Sequence, residues 1–130
     1  MLAKRELSVE SIDLDGVTYT ASEMTVRTKT NFEAAVVHHG AACIREALLV
    51  FCVSVNGQPA FPIASKLAEV DDSLAPKQVN GRPLGDDALN AWRDEQALGL
   101  LLEDLATYPA DQVEPLVGLA QKVNPTLGNG

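Results

Sequence analysis

The chain has 130 residues, 46% of them hydrophobic and 22% charged, with a formal net charge of −8 and a pI near 4.6. That composition suits one folded domain around a single core and excludes a disordered chain. The acidic balance and the scatter of the ten basic residues exclude a broad phosphate-binding surface, so neither nucleic acid nor an anionic membrane is an expected partner.

The N-terminal third reads as extended. Leu7, Val9, Ile12 and Leu14 stand among Ser, Glu and Asp, and Asp15-Gly16 then supplies a hairpin turn before the strand formers Val17-Thr18-Tyr19-Thr20. Met24, Val26, Thr28 and Thr30 alternate with other residues at a period of two, so a third short strand is expected there, or else the first turn of a helix. Thr30 and Glu33 have the form of a capping box, which predicts a helix over 31–39 ending at Gly40, with Phe32, Ala35 and Val36 turned inward.

Ile44, Ala47, Leu48, Phe51 and Val55 repeat at the helical period, and Leu49, Val50, Cys52 and Val53 fill the other faces. A helix apolar all round lies at the centre of a domain or partly against another copy. Asn56-Gly57-Gln58-Pro59 stops it. From 60 to 86 the pattern decays, with Pro62, Pro76, Pro83, Asn80-Gly81 and Gly85 among irregularly spaced apolar residues. A mobile loop is expected, with a helical turn or two over 65–70.

Asp86-Asp87 opens a helix to Ala106, both carboxylates at the positive end of its dipole. Its expected apolar stripe is Ala91, Leu98, Leu101, Leu102 and Leu105. Tyr108-Pro109-Ala110-Asp111 turns into a last helix, with Val113, Leu116, Val117 and Ala120 at i, i+3, i+4 and i+7. Pro115 is awkward in it unless it falls in the first turn. Asn124-Pro125 ends the helix, and 126–130 reads as a frayed tail. The expected architecture is therefore a single α+β domain, mainly α-helical, with short N-terminal antiparallel strands followed by about four helices.

Chemistry is sparse. His38-His39 with Cys43 offers three potential metal ligands, but neighbouring helical residues diverge by about a hundred degrees, so a shared ion is not expected. A helix C-terminus that favours cationic side chains explains the pair instead. Cys43 and Cys52 are read as buried, inert thiols rather than a disulfide or a Cys–His nucleophile. Asp71-Asp72 and Asp86-Asp87 read as solvated charge and helix caps rather than an acid–base pair. Gly99 and Gly118 interrupt helical patterns, either neutrally or where another backbone approaches. No catalytic, cofactor or metal site is expected. The longest apolar run, 47–53, is too short to span a bilayer, and the N-terminus lacks the apolar core of a signal peptide.

What remains is apolar surplus on two helices, a mark of protein partners. Leu48, Phe51, Leu98, Leu101 and Leu102 are the expected protein-interaction residues.

The order of segments resembles the tail assembly chaperones of lambda-like long-tailed bacteriophages. The matching pieces are Asp15-Gly16-Val17-Thr18-Tyr19, Glu23-Met24-Thr25-Val26-Arg27, Glu46-Ala47-Leu48-Leu49-Val50-Phe51-Cys52-Val53, Asn56-Gly57-Gln58-Pro59-Ala60-Phe61 and Tyr108-Pro109-Ala110-Asp111-Gln112-Val113. Thr28 departs from the family, where an acidic residue is usual, and 65–84 is longer than typical. The resemblance implies a non-catalytic, oligomeric chaperone in the host cytoplasm, absent from the mature virion. Such a protein binds the tape measure protein and recruits tail tube protein, the latter through a longer form made by programmed frameshifting. Leu127-Gly128-Asn129-Gly130 is compatible with a slippery codon sequence for that event. Two other readings compete. One is a small virion structural protein, a head–tail connector or tail terminator, and the other an acidic phage inhibitor of a host enzyme.

Overall fold

In the computed structural model, which describes residues 2–125, Asp15 and Gly16 both take left-handed backbone, with φ of 52° and 81°. They close an antiparallel hairpin between β1 (Val9–Leu14) and β2 (Val17–Ser22), with Leu14 opposite Val17 and Val9 opposite Ser22. Side chains alternate across β1 as the pleat requires. Glu10, Ile12 and Leu14 are half-buried, and Val9, Ser11 and Asp13 are exposed.

No strand forms at 24–30; the alternative expected there, the first turn of a helix, does. Thr25 accepts the N–H of Thr28 at 3.1 Å and caps α1 (Val26–His39), a turn and a half upstream of the expected start. Thr30, expected as the cap, lies inside the helix and donates its hydroxyl to the Val26 carbonyl at 2.9 Å. The expected end is correct: Gly40, at φ 102°, breaks the helix and donates its N–H to Val36 O. Phe32 and Ala35 are buried and Val36 is half-buried.

A short 3₁₀ turn, Ala41–Cys43, leads into α2 (Ile44–Cys52). Ala47, Leu48, Leu49, Val50 and Cys52 are all buried, so α2 is the centre of the domain. The helix is shorter than its apolar period suggests. At Val53 the backbone turns extended and forms β3 (Val53–Val55), which pairs with β2 through Ala21–Val53 and Thr20–Ser54. Asn56-Gly57 then repeats the left-handed pair seen at Asp15-Gly16 and returns the chain as β4 (Gln58–Pro59). The resulting sheet has the order β1-β2-β3-β4.

The patternless stretch after 60 is not an irregular loop. It holds a 3₁₀ helix, Ile63–Glu69, a turn at Asp72–Leu74, and a small separate hairpin of β5 (Gln78–Val79) and β6 (Arg82–Pro83) around Asn80-Gly81. The 3₁₀ helix packs along α3 (Asp86–Ala106). Lys66 Nζ reaches Glu69 at 3.2 Å and Asp104 at 3.6 Å, and Arg93 grips Asp72 through two nitrogens at 2.6 and 2.8 Å.

On α3 the buried residues are Ala97, Leu98, Leu101, Leu102 and Leu105; Ala91, expected in the stripe, is exposed. The last helix, α4 (Ala110–Val123), packs against α2, β1 and β2 through Leu116, Val117, Ala120 and Val123. Pro115 lies inside it beyond the first turn, so the Asp111 carbonyl loses its i+4 donor. The expected frayed tail at 126–130 and its Gly-Asn-Gly end lie outside the described residues.

Candidate functional site

The expected interaction residues do not form a surface. Leu48 is 1% exposed, Leu101 and Leu102 4% each and Leu98 9%, all covered by the chain's own core. The two leucine-rich faces close on each other and on α4, which corrects the expectation that they await a partner. Phe51 alone stays half-exposed.

Phe51 stands over a groove of about 430 Å³. Its ring is fixed edge-on against buried Phe32, with centroids 6.3 Å apart. Thr28 and Asn31 of α1 form one wall, Val50 and Phe51 of α2 the floor, and Pro59, Phe61 and Ile63 the other wall. The local sequence builds this shape: α2 stops at Cys52, the Asn56-Gly57 turn brings Pro59 back beside it, and Pro62 opens the 3₁₀ helix. Sequence reasoning placed Phe51 in an interaction surface but missed Phe61 and Ile63, which belonged to the expected loop.

A second cluster joins the His38-His39 pair not to Cys43 but to Glu95, which was not expected. His38 and His39 end α1, and Glu95 faces them from α3. His38 Nε2 lies 3.3 Å from Glu95 Oε1, and one ligand atom from each of the three side chains falls within 4.8 Å of the others. The imidazoles meet edge to face, with centroids 4.7 Å apart. The divergence argued from the helix period is thus overcome at the last turn of α1. Gly99 makes the space: a Cβ there would stand 3.0 Å from His39 Cε1. No other backbone approaches Gly99, as one of the two expectations had it; the His39 side chain does, and Gly118 has nothing within 4 Å of where its Cβ would be.

His39 is held toward its neutral form, first by burial and then by the neighbouring charge of His38, against the opposing pull of Glu95 and Glu103. Its Nε2 is buried without a hydrogen-bond partner, as is Glu46 Oε2. His39 and Glu46 both border a smaller hollow of about 260 Å³.

The remaining polar groups are structural. Burial pushes the Cys52 thiol up to about 12, and burial and Glu46 also raise Cys43, whose Sγ donates to Gly40 O at 2.9 Å. Both thiols are held protonated, the opposite of what a nucleophile needs. Asp71 caps the turn at Asp72–Leu74 by accepting from Ser73 N and Oγ, Asp72 pairs with Arg93, and Asp86 and Asp87 sit in the first turn of α3. At the sheet edge Arg5 and Ser8 both donate to Glu23 and hold its carboxyl down at about 2. Among the described residues no helix is long and apolar enough to cross a membrane.

No family model matches the chain, and no curated protein or solved structure is significantly similar to it.

Proposed function

We propose that the chain is a non-catalytic assembly chaperone for the tail of a long-tailed bacteriophage, and that it holds an apolar helical segment of the tape measure protein in the groove beside Phe51. The observation that carries this reading is the groove itself: Val50, Phe51, Phe61 and Ile63 present apolar surface in a concave site between a helix and a strand return. An amphipathic helix docks in such a groove through one apolar face. The occupant is inferred from the resemblance of the segment order to lambda-like tail assembly chaperones, and four of the residues lining the groove, Val50, Phe51, Pro59 and Phe61, lie in two of the resembling segments.

The chemistry fits a holdase. Both thiols are held protonated, and Asp71 and Asp72 are taken up in a turn cap and an ion pair. A net charge of −8 keeps a complex with an aggregation-prone partner in solution. In this reading the protein acts in the host cytoplasm as an oligomer, a longer frameshifted form recruits tail tube protein, and neither form remains in the finished virion.

Co-expression with the tape measure protein tests the proposal. Wild-type chain should keep the tape measure protein soluble and co-purify with it. Phe51→Asp and Phe61→Asp should lose that while retaining wild-type circular dichroism. Folded variants that still co-purify with the tape measure protein would rule out the groove. Stoichiometric protein in purified phage particles would rule out the chaperone role in favour of a structural one.

A further inference from the structure

We propose that His38, His39 and Glu95 form a binding site for one divalent transition-metal ion of the zinc kind, clamping the end of α1 to α3. Two imidazole nitrogens and one carboxylate oxygen are a donor set that zinc takes readily, with a fourth position left for water. A tetrahedral ion with bonds of ~2.0–2.1 Å needs its ligand atoms about 3.3 Å apart. His38 Nε2 and Glu95 Oε1 already stand at 3.3 Å. The widest pair, within 4.8 Å, has to close by at most about 1.5 Å, a small rotation for the exposed side chains of His38 and Glu95 about a half-buried His39.

Three further features point the same way. His39 brings a buried nitrogen, Nε2, that no protein group satisfies. Gly99 leaves room for its ring where any other residue would crowd it. The negative end of the α1 dipole and the carboxylates of Glu69, Asp71 and Glu103, which line the adjoining hollow of about 370 Å³, favour a cation. Metal binding and partner binding are separable, because none of the three ligands lines the Phe51 groove.

The test is titration of the full chain, free of any histidine tag, with zinc chloride alone, followed by calorimetry and by thermal unfolding. One ion per chain is expected, together with a rise in melting temperature, since an ion bound only by the folded state stabilises it. His38→Gln and Glu95→Gln alter exposed side chains, so both variants should fold normally and each should bind at least ~tenfold more weakly. Cobalt substituted for zinc should give the visible absorption of a tetrahedral site in the wild type and not in the variants. Absence of zinc uptake, or an affinity unchanged in both variants, overturns the site.

Discussion

Asn124 Oδ1 accepts the backbone N–H of Met24 at 2.8 Å, joining residues one hundred positions apart. Both amide hydrogens are used as well: Nδ2 donates to Ala120 O at 3.0 Å and to Ser22 O at 3.3 Å. Among the described residues Asn124 is the buried polar one, 6% exposed, and it fastens the end of α4 to the joint between β2 and α1. Asn124→Ala leaves the Met24 amide without its acceptor and should cost about 2 kcal/mol. Asn124→Asp keeps an acceptor but turns carboxylate oxygen toward two carbonyls, and should cost more. Urea unfolding checks both: the midpoint should fall with the slope unchanged. Losses within about 0.5 kcal/mol of zero would mean that the fastening contributes nothing.

Three hairpin turns share one backbone solution. Asp15-Gly16, Asn56-Gly57 and Asn80-Gly81 all place both residues at positive φ, between 52° and 81°. Built at Gly16 or Gly57, a Cβ meets nothing within 4 Å, so substitution there costs conformational strain and nothing else. Gly16→Ala and Gly57→Ala should each lose roughly 1–2 kcal/mol, read as a fall of a few degrees in melting temperature. Unchanged melting temperatures would show that the hairpins tolerate another turn type.

Of these turns only Asp15-Gly16 was legible as a hairpin, because strand formers flank it on both sides; Asn56-Gly57 read as a helix stop and Asn80-Gly81 as part of a patternless loop. The centrality of α2, the start of α3 and the end of α1 were legible too. The start of α1 was not. Thr30 and Glu33 make a better capping pair on paper than Thr25 and Thr28, but a helical threonine satisfies its own hydroxyl on the preceding turn, as Thr30 does on Val26 O. β3 was hidden because Val55 also stands four residues after Phe51, and three residues are too few to separate a period of two from one of 3.6. The segment 60–86 looked patternless because its 3₁₀ helix turns in with a lysine: the Lys66 side chain is only 19% exposed, its stem packed and its ammonium reaching Asp104. The His38–His39–Glu95 cluster joins two helices far apart in the chain, which no spacing rule reaches. Its local signs were the adjacent His38-His39, set aside because neighbouring helical residues diverge, and Gly99, a glycine four residues after Glu95 in the interior of α3.

Gly99 and Gly118 should respond to alanine with different signs. Gly118 lies inside α4 with open space beside it, so Gly118→Ala gains helix propensity without a clash, about 1 kcal/mol of added stability. Gly99→Ala gains the same propensity but drives a methyl to 3.0 Å from the His39 ring, which is packed and must shift. The denaturation midpoint should rise for Gly118→Ala and stay level or fall for Gly99→Ala. Equal gains at the two positions would mean that His39 moves aside freely.

Cys52 should make the fold sensitive to alkali. Burial raises its thiol from an ordinary value near 9.0 to about 12, and Asn124 Nδ2 stands 3.6 Å from the sulfur. A group whose folded pKa exceeds its unfolded one stabilises fully below the unfolded value, so this contribution is whole up to pH 9 and is lost progressively between pH 9 and about 12. Iodoacetamide at pH 8 should leave Cys52 unmodified in the native protein and alkylate it in denaturant, as followed by peptide mass. Cys52→Ala should lower stability at pH 7 by about 1 kcal/mol through lost packing, yet flatten the decline in unfolding free energy from pH 9 to 11. A decline equally steep in the variant would place the alkaline sensitivity elsewhere.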